Sequence, residues 1–158
     1  MIKKKKFLFL GILIALVLII IIVVYFSFSV FYFKTEFGKG KVIVSGKAIN
    51  VDVALTAEAQ YQGLQGKNSL ANNEGMLFVF KEKHYQNFWM QGMKFPIDII
   101  WLDDNKIIGF VENAPVPKDS NNIPTYTSPS EVNYVLEVKS GFVKENNIKV
   151  GDNIEYKL

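Results

Sequence analysis

Residues 7–33, FLFLGILIALVLIIIIVVYFSFSVFYF, contain no charged side chain. A run of about 27 residues exceeds the ~20 that a helix needs to cross a bilayer. At ~1.5 Å rise per residue it would be about 40 Å long, against a hydrocarbon core of ~30 Å. Its last turns are therefore expected at the interface, where Tyr25, Phe26, Phe28, Phe31, Tyr32 and Phe33 suit an aromatic belt. A cleaved secretory signal has a shorter apolar region with a small-residue cleavage site behind it. This run is too long and ends in bulky aromatics, and the chain has no cysteine to accept a lipid. The expectation is an uncleaved single-span anchor. Lys3, Lys4, Lys5 and Lys6 abut it and favour a cytoplasmic tail at 1–6. Lys34, Lys39, Lys41 and Lys47 follow it, so the bias towards an extracytoplasmic C-terminal domain is weak.

The charged, glycine-containing stretch 34–41 (KTEFGKGK) reads as a linker to a domain at 42–158. That is an ordinary size for one domain and enough to bury a core. Without cysteine, the domain has no disulfides, thiol nucleophile or thiolate zinc site, and a single histidine cannot form a His cluster. The formal net charge is +3 and partly belongs to the lysine tail, so the domain is near neutral and carries no nucleic-acid footprint.

Strand patterns fill the domain. Residues 42–55 read as two strands around Ser45-Gly46-Lys47, with Ile49, Val51, Val53 and Leu55 on one face. Thr56 is a candidate N-cap for a short helix ending at Gly63. Then come strands at 76–80, 87–93 and 95–102, with a charged loop, KEKHYQ, after the first. A turn at Asp103–Lys106 leads into a hairpin strand at 107–112, and 114–129 is a proline-rich loop. A strand at 132–138, a helical turn at 140–146 and a strand at 154–156 close the chain. Short strands punctuated by Gly, Pro and Asn imply a mostly β sandwich or barrel with one or two short helices. The helices are too few and too short for a parallel βαβ sheet.

The blocks GLQGK (63–67), GMLFVF (75–80), FWMQGMKFPIDIIWLD (88–103), YVLEVKSG (134–141) and IKVGD (148–152) occur in an order and spacing that resemble domain-of-unknown-function family 192. The resemblance covers about residues 41–158. It implies a compact, jelly-roll-like β domain, often exported or anchored, and implies no activity. The chain departs from the family's pattern at two places. Gln65 stands where Met is usual, with Lys67 as the basic residue that follows. Gln91-Gly92-Met93 stands where Lys-Asn-Thr is frequent. If those positions line a pocket, its polarity differs in this member.

Four residues are candidate ligand-binding positions: Lys67, Trp89, Asp98 and Glu137. Asp98 lies in an apolar strand and shares a face with Ile100 and Leu102, so its carboxylate must be paired, hydrogen-bonded or protonated. Structurally, it accepts backbone N–H groups or pairs with a lysine such as Lys67; functionally, it is a pocket carboxylate. Glu137 alternates away from Val132, Tyr134, Leu136 and Val138 onto a face expected to be solvated, unless it is a second pocket carboxylate. Asp98 and Glu137 together are the candidate catalytic pair for a hydrolase. Trp89 is a candidate platform for a sugar, whereas Met90 and Trp101 read as core. No G-x-S-x-G, phosphate loop or G-x-G-x-x-G is present. No cofactor or metal is expected. The leading expectation is an anchored domain binding a ligand or partner at the cell envelope, with carbohydrate the ligand class to test first. The alternatives are the carboxylate hydrolase and a structural accessory factor of an envelope complex, with an envelope protein as partner.

Overall fold

The computed structural model describes residues 14–25 and 37–158. Residues 14–25 form a helix, α1, whose apolar side chains are exposed. Among the described residues no helix is long and apolar enough to cross a membrane. The rest of the expected span at 7–33 lies outside the described residues.

The C-terminal unit is mostly β. Its elements are β1 (Gly38–Val44), β2 (Lys47–Ala54), α2 (Ala57–Gln62), β3 (Glu74–His84), β4 (Asn87–Trp89), β5 (Ile97–Asp103), β6 (Lys106–Ala114), β7 (Thr125–Thr127), β8 (Val132–Lys139), α3 (Phe142–Glu145) and β9 (Ile154–Lys157). Seven strands form one sheet in the order β6-β5-β8-β3-β2-β1-β9, and β4 pairs with β7 as a separate ribbon.

Local chemistry explains several elements. Ser45 and Gly46 both have positive φ (48° and 73°), which gives the β1–β2 hairpin the left-handed turn that matches strand twist. The Thr56 hydroxyl accepts from Ala59 N–H and starts α2, as the sequence predicts. The Gln60 side chain then donates to Val79 O at 2.8 Å and fastens α2 to β3.

The sheet is not a jelly roll. A jelly roll builds two antiparallel sheets from Greek keys, whereas here β2 and β3 are parallel neighbours joined through α2. One βαβ step is therefore present, contrary to expectation, because residues 55–73 are long enough for the crossover. The sheet instead curls until its edge strands meet. Ile107 N–H donates to Asp152 O (2.9 Å), Ile154 N–H to Asn105 O (2.8 Å) and Gly151 N–H to Ile107 O (2.8 Å). The barrel reading is thus the nearer one, with β6 and β9 joined at one end and their edges shielded there.

Other boundaries moved, and the strand expected at 87–93 ends at Trp89 because the chain turns at Gly92, which has positive φ. β1 begins at Gly38, so half of the expected linker at 34–41 is strand. Gly40 allows this because a Cβ there would lie 2.8 Å from the Leu158 side chain and 3.3 Å from that of Val53. β3 runs on to His84 through most of the expected charged loop, and Thr125–Thr127 of the proline-rich loop pairs with β4.

The central strands β3, β5 and β8 are buried on both faces over much of their length. The interior holds Val42, Val51, Leu77, Ile100, Leu136 and Val138, with Phe142 and Val143 of α3 packed among them. On the outer face, α2 and the β4–β7 ribbon cover Met76, Phe78, Ile99, Trp101 and Val135 with Ala59, Leu64, Met90 and Phe88. This double cover explains the continuous apolar run of β5, which is buried from Ile97 to Leu102.

Candidate functional site

Asp98 is fully buried on the interior face. Three backbone N–H groups donate to it: Asn113 to Oδ1 (2.8 Å), Gly141 to Oδ1 (3.2 Å) and Val143 to Oδ2 (2.9 Å). Each donor belongs to an irregular feature. The β5–β6 register shifts between Ile97 and Ile99, so Asn113 lies in a bulge opposite Asp98, where a backbone N–H has no ladder partner. Gly141 is the N-cap of α3, has φ 90° and supplies no side-chain cap. Asp98 reaches over from β5 and takes that role, satisfying orphan donors at the helix start. The partners of Asp98 are therefore backbone N–H groups and not Lys67, which pairs with Asp52.

Glu137 faces the other way. It is the register partner of Met76 on β3 and of Ile99 on β5, both outer-face residues, while Asp98 pairs with Val138. Successive strand residues point to opposite faces. The sheet thus lies between the two carboxyl groups, and they do not meet in one cleft. Nor is Glu137 solvated, as its alternation suggested. It is 5% exposed, because β8 is an inner strand covered on both sides. Its Oε2 has no hydrogen-bond partner among the described residues. Burial pushes its carboxyl up to about 8. At neutral pH it is a carboxylic acid with an unused donor.

Glu137 lines a cavity of about 130 Å³. The walls are aromatic and amide: Tyr61, Phe78, Phe88 and Trp89 on one hand, Gln62, Gln65, Gln86, Asn87 and Gln91 on the other. Tyr61 and Trp89 form the accessible part, 63% and 44% exposed, and meet edge to face at 5.8 Å and 76°. Phe78 and Phe88 repeat that arrangement at 4.7 Å and 86°. The volume is below the ~300–1,000 Å³ of sites that enclose whole ligands, so it suits one group of a ligand.

Lys67 lies elsewhere. Its ammonium pairs with Asp52 at 2.8 Å, and Lys39 pairs with the same carboxylate. Burial alone would push the Asp52 carboxyl up, but the hydrogen bonds from Lys39 and Lys67 outweigh it and hold it below the usual range. These residues, with Glu74, border a second cavity of about 300 Å³. Of the four predicted positions, the fold therefore brings together only Trp89 and Glu137. Met90 and Trp101 are core, as read from sequence.

Residues 40–156 match the model of the family described as uncharacterised ACR, DUF192. The chain belongs to this family. A protein of Sinorhizobium meliloti 1021 described as a candidate transcription regulator is 30% identical; the match covers 78% of this chain and 97% of that one, with a TM-score of 0.69. A protein of unknown function from Novosphingobium aromaticivorans DSM 12444 is 28% identical over 75% of this chain and 84% of that one, with a TM-score of 0.66. Among curated proteins none matches the chain.

Both places where this DUF192 member departs from the family's pattern border the same cavity: Gln65 in one, Gln91 and Met93 in the other. Gly92 lets them approach, since a Cβ there would lie 2.9 Å from Gln65 Oε1. The sequence reading singled out Gln65 but passed over Tyr61, Gln60 and Gln62 of QYQGLQ (60–65). The signal available was the density of amides at the end of a short helix.

Proposed function

We propose that this chain is a membrane-anchored, extracytoplasmic β domain that binds a carbohydrate ligand at the cell envelope, with its site in the cavity over Glu137. The carrying observation is the buried Glu137 carboxyl, whose Oε2 lacks a partner on a cavity walled by aromatic rings and side-chain amides. A buried polar group without a partner is rare and costly. A ligand hydroxyl or amine supplies the missing bond. Exposed Trp89 and Tyr61 offer apolar ring faces, and the amides offer paired donors and acceptors. Ring faces and alternating hydroxyls are the two surfaces of a sugar.

The anchor is supported by the charge-free run at 7–33 and the lysines before it. A glycan array probed with the full chain in a non-glycosidic detergent tests the binding. The reading expects retention on a subset of envelope sugars that is lost in Trp89→Ala. Uniform absence of binding, with crosslinking to a protein neighbour in cells, would favour an accessory role instead. Orientation is tested with Lys118→Cys and an impermeant thiol reagent: labelling in intact cells is expected, and labelling only after permeabilisation contradicts it.

A further inference from the structure

We infer that the group seated on Glu137 is a protonated amine, so that the ligand is an amino sugar and not a neutral or acidic one. This inference rests on the carbohydrate reading above and narrows it. Among the described residues lining the cavity Glu137 is the only acid, and no lysine, arginine or histidine is among them. An anionic sugar would meet a carboxyl group and no cation, so acidic ligands are disfavoured. A neutral hydroxyl gains only a neutral hydrogen bond from the protonated carboxyl. An ammonium converts the contact into a charge-assisted pair, the stronger of the two, and a buried charge is tolerated when paired and hydrogen-bonded.

The walls agree with that choice. Tyr61 and Trp89 stand nearly perpendicular, as do Phe78 and Phe88 deeper in. Aromatic walls suit a cation, since an ammonium over a Trp or Tyr face is attracted by the ring quadrupole. Side-chain amides on the lining supply oxygens for the remaining N–H donors and for ring hydroxyls.

In the empty cavity Glu137 carries a proton at neutral pH, since burial raises its carboxyl. When an ammonium arrives, the carboxyl ionises, the pair forms, and the displaced proton passes to solvent. Among the described residues the only other titratable side chain on the lining is Tyr61. Amine binding therefore releases close to one proton near pH 6.5, whereas binding of a neutral sugar releases none.

The test is calorimetry on the full chain in a non-glycosidic detergent, in two buffers of different ionisation enthalpy, with glucosamine, N-acetylglucosamine, glucose and cyclohexylamine. The expected result is glucosamine binding at least tenfold tighter than N-acetylglucosamine and glucose, with near-unit proton release. Glu137→Gln should abolish that preference and the proton release while leaving weak sugar binding, and its thermal unfolding confirms that it is folded. Equal or tighter binding of N-acetylglucosamine or glucose would overturn the amine assignment and leave the carbohydrate reading standing. Cyclohexylamine matching glucosamine would overturn the sugar reading and the amino-sugar assignment with it, as would binding of none of the four.

Discussion

Glu137 and Asp98 lie on neighbouring strands and project from opposite faces of the same sheet, Glu137 in register with Ile99 and Asp98 with Val138. A two-carboxylate mechanism needs both groups flanking one bond. Here each carboxyl has its own surroundings. One is saturated by backbone donors; the other lacks a partner at Oε2. The consequences of changing them should differ in kind.

For Asp98 the consequence is stability. Asn at this position keeps one acceptor oxygen, and its amide group confronts a backbone N–H that formerly had a partner. Leaving such a buried donor unsatisfied costs about 1–3 kcal/mol, more where a charged acceptor is lost. Asp98→Asn should lower the unfolding free energy by about 2–4 kcal/mol in urea titration. A change within about 0.5 kcal/mol, the usual range for an innocuous surface substitution, would show that the bulge and α3 do not depend on it.

For Glu137 the consequence is a pH profile. Its folded-state value of about 8 lies above the ordinary carboxylate range near 4.5. The native state therefore holds the proton more tightly than the unfolded chain. The stability contributed is fully present below about 4.5 and is lost as pH rises through about 8. The unfolding free energy from urea titration should be higher at pH 5 than at pH 9 by an amount on the order of a few kcal/mol. Glu137→Gln should flatten that part of the profile, and an unchanged slope in the variant would place the proton elsewhere.

Gly75 makes a packing prediction beside the same residue. A Cβ at Gly75 would lie 2.8 Å from the Glu137 carbonyl oxygen, which is backbone and cannot swing aside. Gly75→Ala should cost about 1–3 kcal/mol by thermal or urea unfolding. Gly40→Ala is the control. Its 2.8 Å neighbour is the tip of Leu158, an exposed side chain that can move, so the loss there should be smaller.

The Lys67–Asp52 pair should matter modestly. Lys67 is 37% exposed and Asp52 16% exposed at the side chain, while Lys39 is 80% exposed. Lys67→Ala should cost up to about 1 kcal/mol at pH 7, and Lys39→Ala less. The Asp52 carboxyl is held low, so its contribution is present above the unfolded value near 4 and is lost as pH falls through the folded one. A Lys67→Ala penalty that persists in strong acid would mean the loss is packing of the lysine stem instead.

What could be read from sequence follows from how local each signal is. The β1–β2 hairpin, the Thr56 cap and the burial of Asp98 rest on short-range patterns, and they hold. The face of Glu137 could not be judged, because alternation shows which residues share a side but not whether α2 and the β4–β7 ribbon will cover that side. The parallel β2–β3 pair was hidden for a similar reason: α2 is too short to announce a crossover. Asp98's partners come from a bulge and a helix start far along the chain, and the strand order β6-β5-β8 brings Asn113, Gly141 and Val143 to it. The departures at Gln65 and Gln91–Met93 were visible as departures, and the fold shows that they border one cavity.

The most direct test of the central claim compares sugar binding by the unaltered chain, Trp89→Ala, Glu137→Gln and Lys67→Ala in one titration series. The account predicts at least tenfold weaker binding for Trp89→Ala and for Glu137→Gln, and unchanged binding for Lys67→Ala, whose partner is Asp52. Binding that survives both cavity changes, or that is lost only with Lys67, would contradict a site over Glu137.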